Sequence, residues 1–550
     1  MQTSPPSFAH PRTDSHTHSL DVATRIAPRA LGPAILVGIA ADTVLRDGID
    51  GAGFPVWVAL LVLAFISLTW RAEREVTSEA SMWLCVATFS ACGLAWRDAD
   101  TLKVLDFLAT AGGLAMLAIA LGNPRAGILA ERFRDSLWAA LASVRVVAWG
   151  LVPNLGAVVR ESQGKPAWQS GTRRTLRSAL LGFGVVALFG SLLRSADPIF
   201  ASLMALPDFD PGVAFSHLFF AIVVAWIVTG WANAALGSTV ASAVAPNRLP
   251  FSLDIGDLTS SLGVLIALFA VFMFAQLGWL FGGESFLRAR TGLTAAEYAR
   301  SGFFEMIWVV VLVIPLLVIT RAALVPGRAS ARRHTLLAVP LIALLGGIIA
   351  SAAARMQLYV HYYGLTVDRL YPLIFMGWLT FVLVWLGATV LRNRGQRFIA
   401  GCAASAYLVL VGINVAAPDA VVARFNEQRA DGRSDRRASA DLRHLSELSA
   451  EAVDVAIRNT LAAPTAAAGS SDRITADGAR CDAARTLVDR WGSASRAAWR
   501  SQEPDAWTDW NAGERHAIAL VRANAVPLRD VLHASCAGGS DRSKRALARR

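Results

Sequence analysis

The sequence predicts an all-α protein: a polytopic helical transmembrane bundle of about eleven spans, followed by a small helical extracytoplasmic C-terminal domain. Three observations lead there. Of the 550 residues, 54% are hydrophobic and only 17% charged, against about 25% charged in soluble domains. The apolar residues fall in runs near the length that crosses a bilayer as a helix. Lys and Arg gather in short segments between those runs, as they do in cytoplasmic loops. The formal charge of +11 and pI near 10.1 therefore describe loops beside a membrane. A nucleic-acid partner is not expected, because no basic face carries base-reading or stacking side chains.

Residues 1–26 are polar and contain Pro and His, which reads as a disordered cytoplasmic tail. They hold no compact apolar region followed by a cleavage site, so the first span is expected to act as an uncleaved signal anchor. His10, His16 and His18 lack spaced Cys or acidic companions, so no metal site is expected there. Four spans follow within 27–121, at about 27–45, 52–70, 80–96 and 101–121. Residues 122–176 form a cytoplasmic loop. Within it, "LWAALASVRVVAWGLVPNLGAVV" (137–159) is long enough to cross but carries Arg145 at its middle. Charge asymmetry decides its placement. With this segment along the inner surface, Lys and Arg on the inner side outnumber those outside by more than two to one; with it spanning, the bias disappears. The positive-inside tendency thus favours an interfacial amphipathic helix here, the N-terminus inside and the C-terminus outside. Seven more spans occupy 177–416, at about 177–195, 213–236, 258–281, 303–321, 335–355, 370–391 and 397–416.

Residues 417–550 are polar and rich in Ala and Arg, with helical periodicity in "DAARTLVDRW" and "NAGERHAIALVRAN". Trp491, Trp499, Trp507 and Trp510 are candidates for a small core. Cys85, Cys92 and Cys402 fall inside spans and read as small hydrophobes. Cys481 and Cys536 fall in the tail, and an exported tail with two thiols predicts a disulfide between them. No metal or other cofactor is expected, since no ligand spacing accompanies these cysteines.

Polar residues in the spans define the candidate site. Thr294 and Glu297 have capping-box spacing, and helical spacing then stacks Tyr298, Ser301 and Glu305 on one face, with Arg300 close by. Asp42, Asp106, Asp197, His217 and Gln276 fall toward the outer ends of their spans. In "SAAARMQLYVHYYGLTVDRLY", Arg355, Tyr359 and Tyr362 share a face, with His361, Tyr363 and Arg369 nearby. An outward-facing polar cluster of Asp42, Asp197, Tyr298, Arg300, Glu305, Arg355, Tyr359, Tyr362 and Arg369 is expected, with Glu305 paired to Arg355. Ionisable groups inside a membrane need such partners or water.

The segments "GIAADTVLRDG", "SADPIF", "QLGWLFGG", "LTAAEYARSGFFE", "RMQLYVHYYGLTVDRLY" and "APDAVVARFNEQRA" resemble a bacterial polytopic membrane family of uncharacterised function, domain of unknown function 4153 or its relative 4173. The likeness runs from about residue 30 to "WTDWNAGERHA". Gly278 stands where Arg is expected and Ala417 where Asn is expected. The resemblance implies a multi-pass protein of the bacterial cytoplasmic membrane with an extracytoplasmic C-terminal segment, and it brings no established activity. Three functions fit the residues. The first is a non-enzymatic sensing, scaffolding or regulatory protein of the envelope, meeting an extracytoplasmic ligand or protein partner. The second is an enzyme acting on a lipid-linked or phosphate-bearing substrate through a carboxylate base and Arg. The third is a transporter, against which stands the lack of inverted repeats and of midplane charge.

Overall fold

A computed structural model describes residues 31–46, 48–71, 76–122, 178, 182, 211–236, 255–291, 303–324, 327–392, 394–430, 442–463, 471–492 and 507–547. Among these residues there are helices and no strand. The apolar helices are α1 (Leu31–Val44), α2 (Gly53–Arg71), α3 (Ser78–Trp96), α4 (Asp100–Gly122), α5 (Pro211–Leu236), α6 (Ile255–Thr291), α7 (Phe303–Ala323), α8 (Arg328–Tyr363), α9 (Val367–Thr389) and α10 (Gln396–Ala416). The C-terminal part holds α11 (Pro418–Ala430), α12 (442–447), α13 (Val453–Ala462), α14 (Ser471–Trp491), α15 (Ala512–Ala523) and α16 (Ala525–Leu547).

Eight of these helices are long and apolar enough to cross a membrane: α2, α4, α5, α6 through Leu258–Gln276, α7, α8, α9 and α10. They make the chain a multi-pass membrane protein. The expected count of eleven added two elements of weaker character. One is α1, which is apolar but short. The other is α3, whose "SMWLCVATFSACGLAW" mixes Ser, Cys and Gly among the apolar residues. The remaining expected span, 177–195, lies outside the described residues apart from 178 and 182, as does 137–159.

The helices pack as two halves. In the first, α1 to α5 close around Phe65, Leu68, Trp83, Leu117, Leu121 and Leu236. In the second, α6 to α9 close around Leu317, Leu341, Leu345, Ile348 and Leu386. Helix α10 lies between them, its Ile413 packing with Ala99 and Leu102 of the first half and with Tyr371 and Ile374 of α9. Cys85 and Cys92 are exposed on α3. Pro315, Pro340 and Pro372 sit inside helices, which neighbouring helices make tolerable in a membrane.

The C-terminal helices cover one end of this bundle, the near end. The end of α1, the turns α3–α4 and α8–α9, and the end of α10 all meet there. Gly51, in the turn before α2, shows the closeness of fit. Its φ of 97° is left-handed, and a Cβ would lie 2.6 Å from the Thr508 carbonyl oxygen of the tail. Helix α4 ends at the far end, whereas α5 begins at the near end beside α1. Trp491 is fully buried in the tail's core with Val455, Leu487, Val521 and Leu528. Trp507 and Trp510 are exposed instead of joining that core, and Trp499 lies outside the described residues.

Candidate functional site at the near end of the bundle

The near end is built from "WRDADTLK", where α3 turns into α4. Arg97 Nε donates to the carbonyl of Asn414 at 2.8 Å, closing the last turn of α10, while its guanidinium lies 4.2 Å over the Trp96 ring. A cation on exposed C-terminal carbonyls is favoured by the helix dipole. Asp98 is 3% exposed. One of its oxygens accepts from Lys103 Nζ at 3.2 Å and the other from the backbone N–H of Ala450 at 3.1 Å. Its own N–H donates to Glu451 Oε1 at 2.8 Å, and Glu451 Oε2 accepts from the Ser449 hydroxyl at 2.5 Å. Asp419, in the first turn of α11, accepts from the N–H of Ser449 at 3.2 Å. Asn511 adds a second fastening, donating from Nδ2 to the carbonyls of Leu94 (3.0 Å) and Arg97 (2.9 Å). The same side chain caps α15 by accepting from Glu514 N. The tail is thus joined to the α3–α4 turn by bonds in both directions.

Burial and the nearby Glu451 and Asp98 raise the Asp419 carboxyl above its usual range, although the Ser449 N–H works against this. A carboxyl raised in the folded state binds its proton more readily there than in the unfolded chain. Its destabilisation is complete above the folded pKa and absent below the unfolded value near 3.8. As pH falls from 7 toward 4, this group is therefore expected to stabilise the junction. Asp419→Asn keeps the acceptor and should flatten that slope, read as melting temperature against pH for both proteins. An unchanged slope counts against the assignment.

Two helical turns inward, Asn414 Nδ2 donates to Asp106 Oδ1 at 3.0 Å. Asp106 is 1% exposed, and its Oδ2 makes no hydrogen bond. That oxygen fits against Gly93 of α3, where a Cβ would lie 2.3 Å away. Gly93→Ala should therefore destabilise the protein by about 1–3 kcal/mol through overpacking. Adding Asp106→Ala should recover most of the loss, as a double-mutant cycle in detergent would show. Independent, additive losses would rule the contact out.

The described members of the predicted cluster have these partners. Asp42 accepts from His217 Nδ1 at 2.6 Å and from Arg46 at 2.9 Å, and Arg46 also reaches Ser216. Arg355, 4% exposed, donates to Gln276 Oε1, and the Ser351 hydroxyl donates to the same oxygen at 3.3 Å. The expected Glu305–Arg355 pair is not formed: no ion pair joins them within 4.0 Å, and Glu305 is exposed in the first turn of α7. Gln276 contributes a neutral acceptor to this guanidinium. Arg369 bonds the carbonyl of Gly364 and stacks 4.2 Å over Tyr359. Tyr362 is exposed. Asp197, Tyr298 and Arg300, with Glu297, lie outside the described residues.

Helix α11 holds the α8–α9 turn to the tail. Asn426 exchanges two hydrogen bonds with the backbone of Leu365, at 3.0 and 2.7 Å, and Arg429 donates to the carbonyls of Val360 and His361. Cys481 of α14 and Cys536 of α16 form a disulfide with a Cα–Cα distance of 5.3 Å. No cluster of three metal-ligating side chains occurs among the described residues. Asp98, Glu451, Asp419, Asn414 and Asn511 were missed by sequence reasoning. Only "WRDADTLK", a short charged turn between apolar runs, signalled any of them.

A family model described as "Domain of unknown function (DUF4153)" matches residues 80–459, so the chain belongs to that family. No curated protein and no solved structure matches it.

Proposed function

We propose that this DUF4153 protein is a non-enzymatic sensing, scaffolding or regulatory protein of the bacterial cytoplasmic membrane, whose C-terminal helical domain is a fixed extracytoplasmic cap on the bundle. The observation that carries the reading is the use made of the near-end charges. Asp98 and Glu451 accept from backbone N–H groups across the junction, and Asp419 accepts from one within the cap. Arg97 and Arg429 donate to backbone carbonyls at helix ends. These groups join elements to one another and thereby couple the cap to the α3–α4 turn and to the end of α8. A ligand or partner bound to the cap would act through those same contacts.

Charge supports the orientation. The far end carries Arg71, Arg321, Arg328, Arg332, Arg333, Arg392, Arg394 and Arg397 at or beside the helix ends, as expected of a cytoplasmic face. The Cys481–Cys536 disulfide suits an oxidising compartment at the opposite face. Thiol alkylation in intact cells, with and without a membrane-permeant reductant, tests this. Labelling of the pair only after reduction, by an impermeant reagent, is the expected result; free thiols labelled only after lysis would reverse the orientation.

The role is tested by a variant series across the near end, including Asp98→Asn, Glu451→Gln, Asn511→Ala and Glu305→Gln. Complementation of a deletion strain should track protease protection of the cap across the series. An isosteric variant that keeps the cap docked and the protein stable, yet abolishes complementation at Glu305, would favour the enzyme reading.

A further inference from the structure

Two of the described tryptophans of the tail stand outside its core. Trp507 and Trp510, on the short turn that leads into α15, are 59% and 45% exposed. The turn is held low against the bundle. A Cβ on Gly51 would lie 2.6 Å from the Thr508 carbonyl oxygen, and one on Gly53 would lie 3.3 Å from the Thr508 Cβ. Asn511, next in the chain to Trp510, donates to the carbonyls of Leu94 and Arg97. Those two residues bracket Trp96, which is itself 38% exposed. Three exposed tryptophans therefore stand at the level where α2 begins and α3 ends.

Depth identifies what meets them. Helix α2 is long and apolar enough to cross a membrane. Its outward face is apolar from Val56 through Leu60 and Leu63 to Ile66, all of them exposed. Lipid covers such a face in a multi-pass protein, so the hydrocarbon ends near Gly53, where the tryptophan turn packs. Trp70, 83% exposed, closes the same helix at its other end. Along α2 it lies about 26 Å from Gly53, close to the roughly 30 Å thickness of a hydrocarbon core. Tryptophan favours both boundaries, because its ring suits the hydrocarbon edge while its N–H reaches the head groups. The turn continues the lipid-facing surface of α2 at that boundary.

We infer that the Trp507–Trp510 turn anchors the C-terminal domain in the phospholipid head-group layer at the near end of the bundle. The inference rests on the docking of the cap and holds whichever compartment the near end faces. It concerns where the cap sits and not what it senses, so depth, and not complementation, tests it.

The full-length protein would carry Cys85→Ser, Cys92→Ser and Cys402→Ser, with the Cys481–Cys536 disulfide kept. An environment-sensitive fluorophore would be attached through Asp509→Cys, an exposed position between the two tryptophans. Leu63→Cys, about 15 Å deeper along α2, would serve as the hydrocarbon reference. Each labelled protein would be reconstituted in vesicles of phosphatidylethanolamine and phosphatidylglycerol. Quenching would be read with a lipid nitroxide on the head group, one midway along a chain, and aqueous iodide. The probe at Asp509 is expected to be quenched several-fold more by the head-group nitroxide than by the other two. The probe at Leu63 should respond most to the chain nitroxide. Trp507→Ser with Trp510→Ser should raise iodide quenching at Asp509 about threefold and leave Leu63 unchanged, showing that the bundle is still inserted. The corresponding pair of phenylalanine substitutions should keep most of the head-group quenching, which a general loss of folding would not. Strong iodide quenching in the parent protein, with none from lipid, would place the turn in water and overturn the inference. Shielding from all three quenchers would mean that protein covers the turn, and would overturn it as well. Head-group quenching unchanged in the double serine variant would show that docking alone sets the depth, and would overturn the anchoring role.

Discussion

Replacing Cys481 and Cys536 with serine is expected to lower the stability of the C-terminal domain by about 4 kcal/mol, the entropy that a loop of this size returns to the unfolded chain. The bridge spans 55 residues and ties α14 to α16. Those helices supply Ala484, Leu487, Trp491, Leu528 and Val531 to the small core. That core is too limited to tolerate such a loss easily. Urea unfolding followed by protease susceptibility of the domain, oxidised against reduced and against the double serine variant, measures the effect. A difference below about 1 kcal/mol would show that docking on the bundle, and not the bridge, sets the domain's stability.

Asn511→Ala carries the next largest expected effect, about 3 kcal/mol. The side chain is 3% exposed and makes three hydrogen bonds, two to bundle carbonyls and one to the helix it caps. Alanine leaves the carbonyls of Leu94 and Arg97 buried with fewer donors and removes the cap from α15. The variant should release the tail to protease while the bundle remains folded, because the bundle's own cores do not include Asn511. Simultaneous loss of both parts would mean that the bundle needs the cap in order to fold.

The bundle was legible in the sequence because crossing a bilayer requires long apolar runs, and such runs are local. Where "LVLAFISL" or "WVVVLVIPLLVI" occurs, lipid leaves the backbone no alternative to a helix. Helix α3 shows the edge of that rule: its Ser, Cys and Gly content reads ambiguously along the chain, and its place is set by close packing on α4, with Gly93 admitting Asp106. The two tail cysteines were legible as a pair because both fall outside the apolar runs that hold the other three.

The polar site was less legible, and Arg355 shows why. Helical spacing placed Tyr359 and Tyr362 on its face, but the choice between Glu305 and Gln276 depends on which helix packs beside α8, and α6 takes the closer place. The same holds for Asn414 and Asp106, separated by 308 positions, and for Asp98 and Glu451, separated by 353. Such pairs carry no local signal. The sequence by itself therefore determined the membrane, the helices and their alternation, since each follows from the hydropathy and charge of neighbouring residues. The tertiary structure alone decided which ends are fastened to the cap and which buried polar atoms find partners. Those outcomes depend on how side chains distant in the chain meet once the helices have packed.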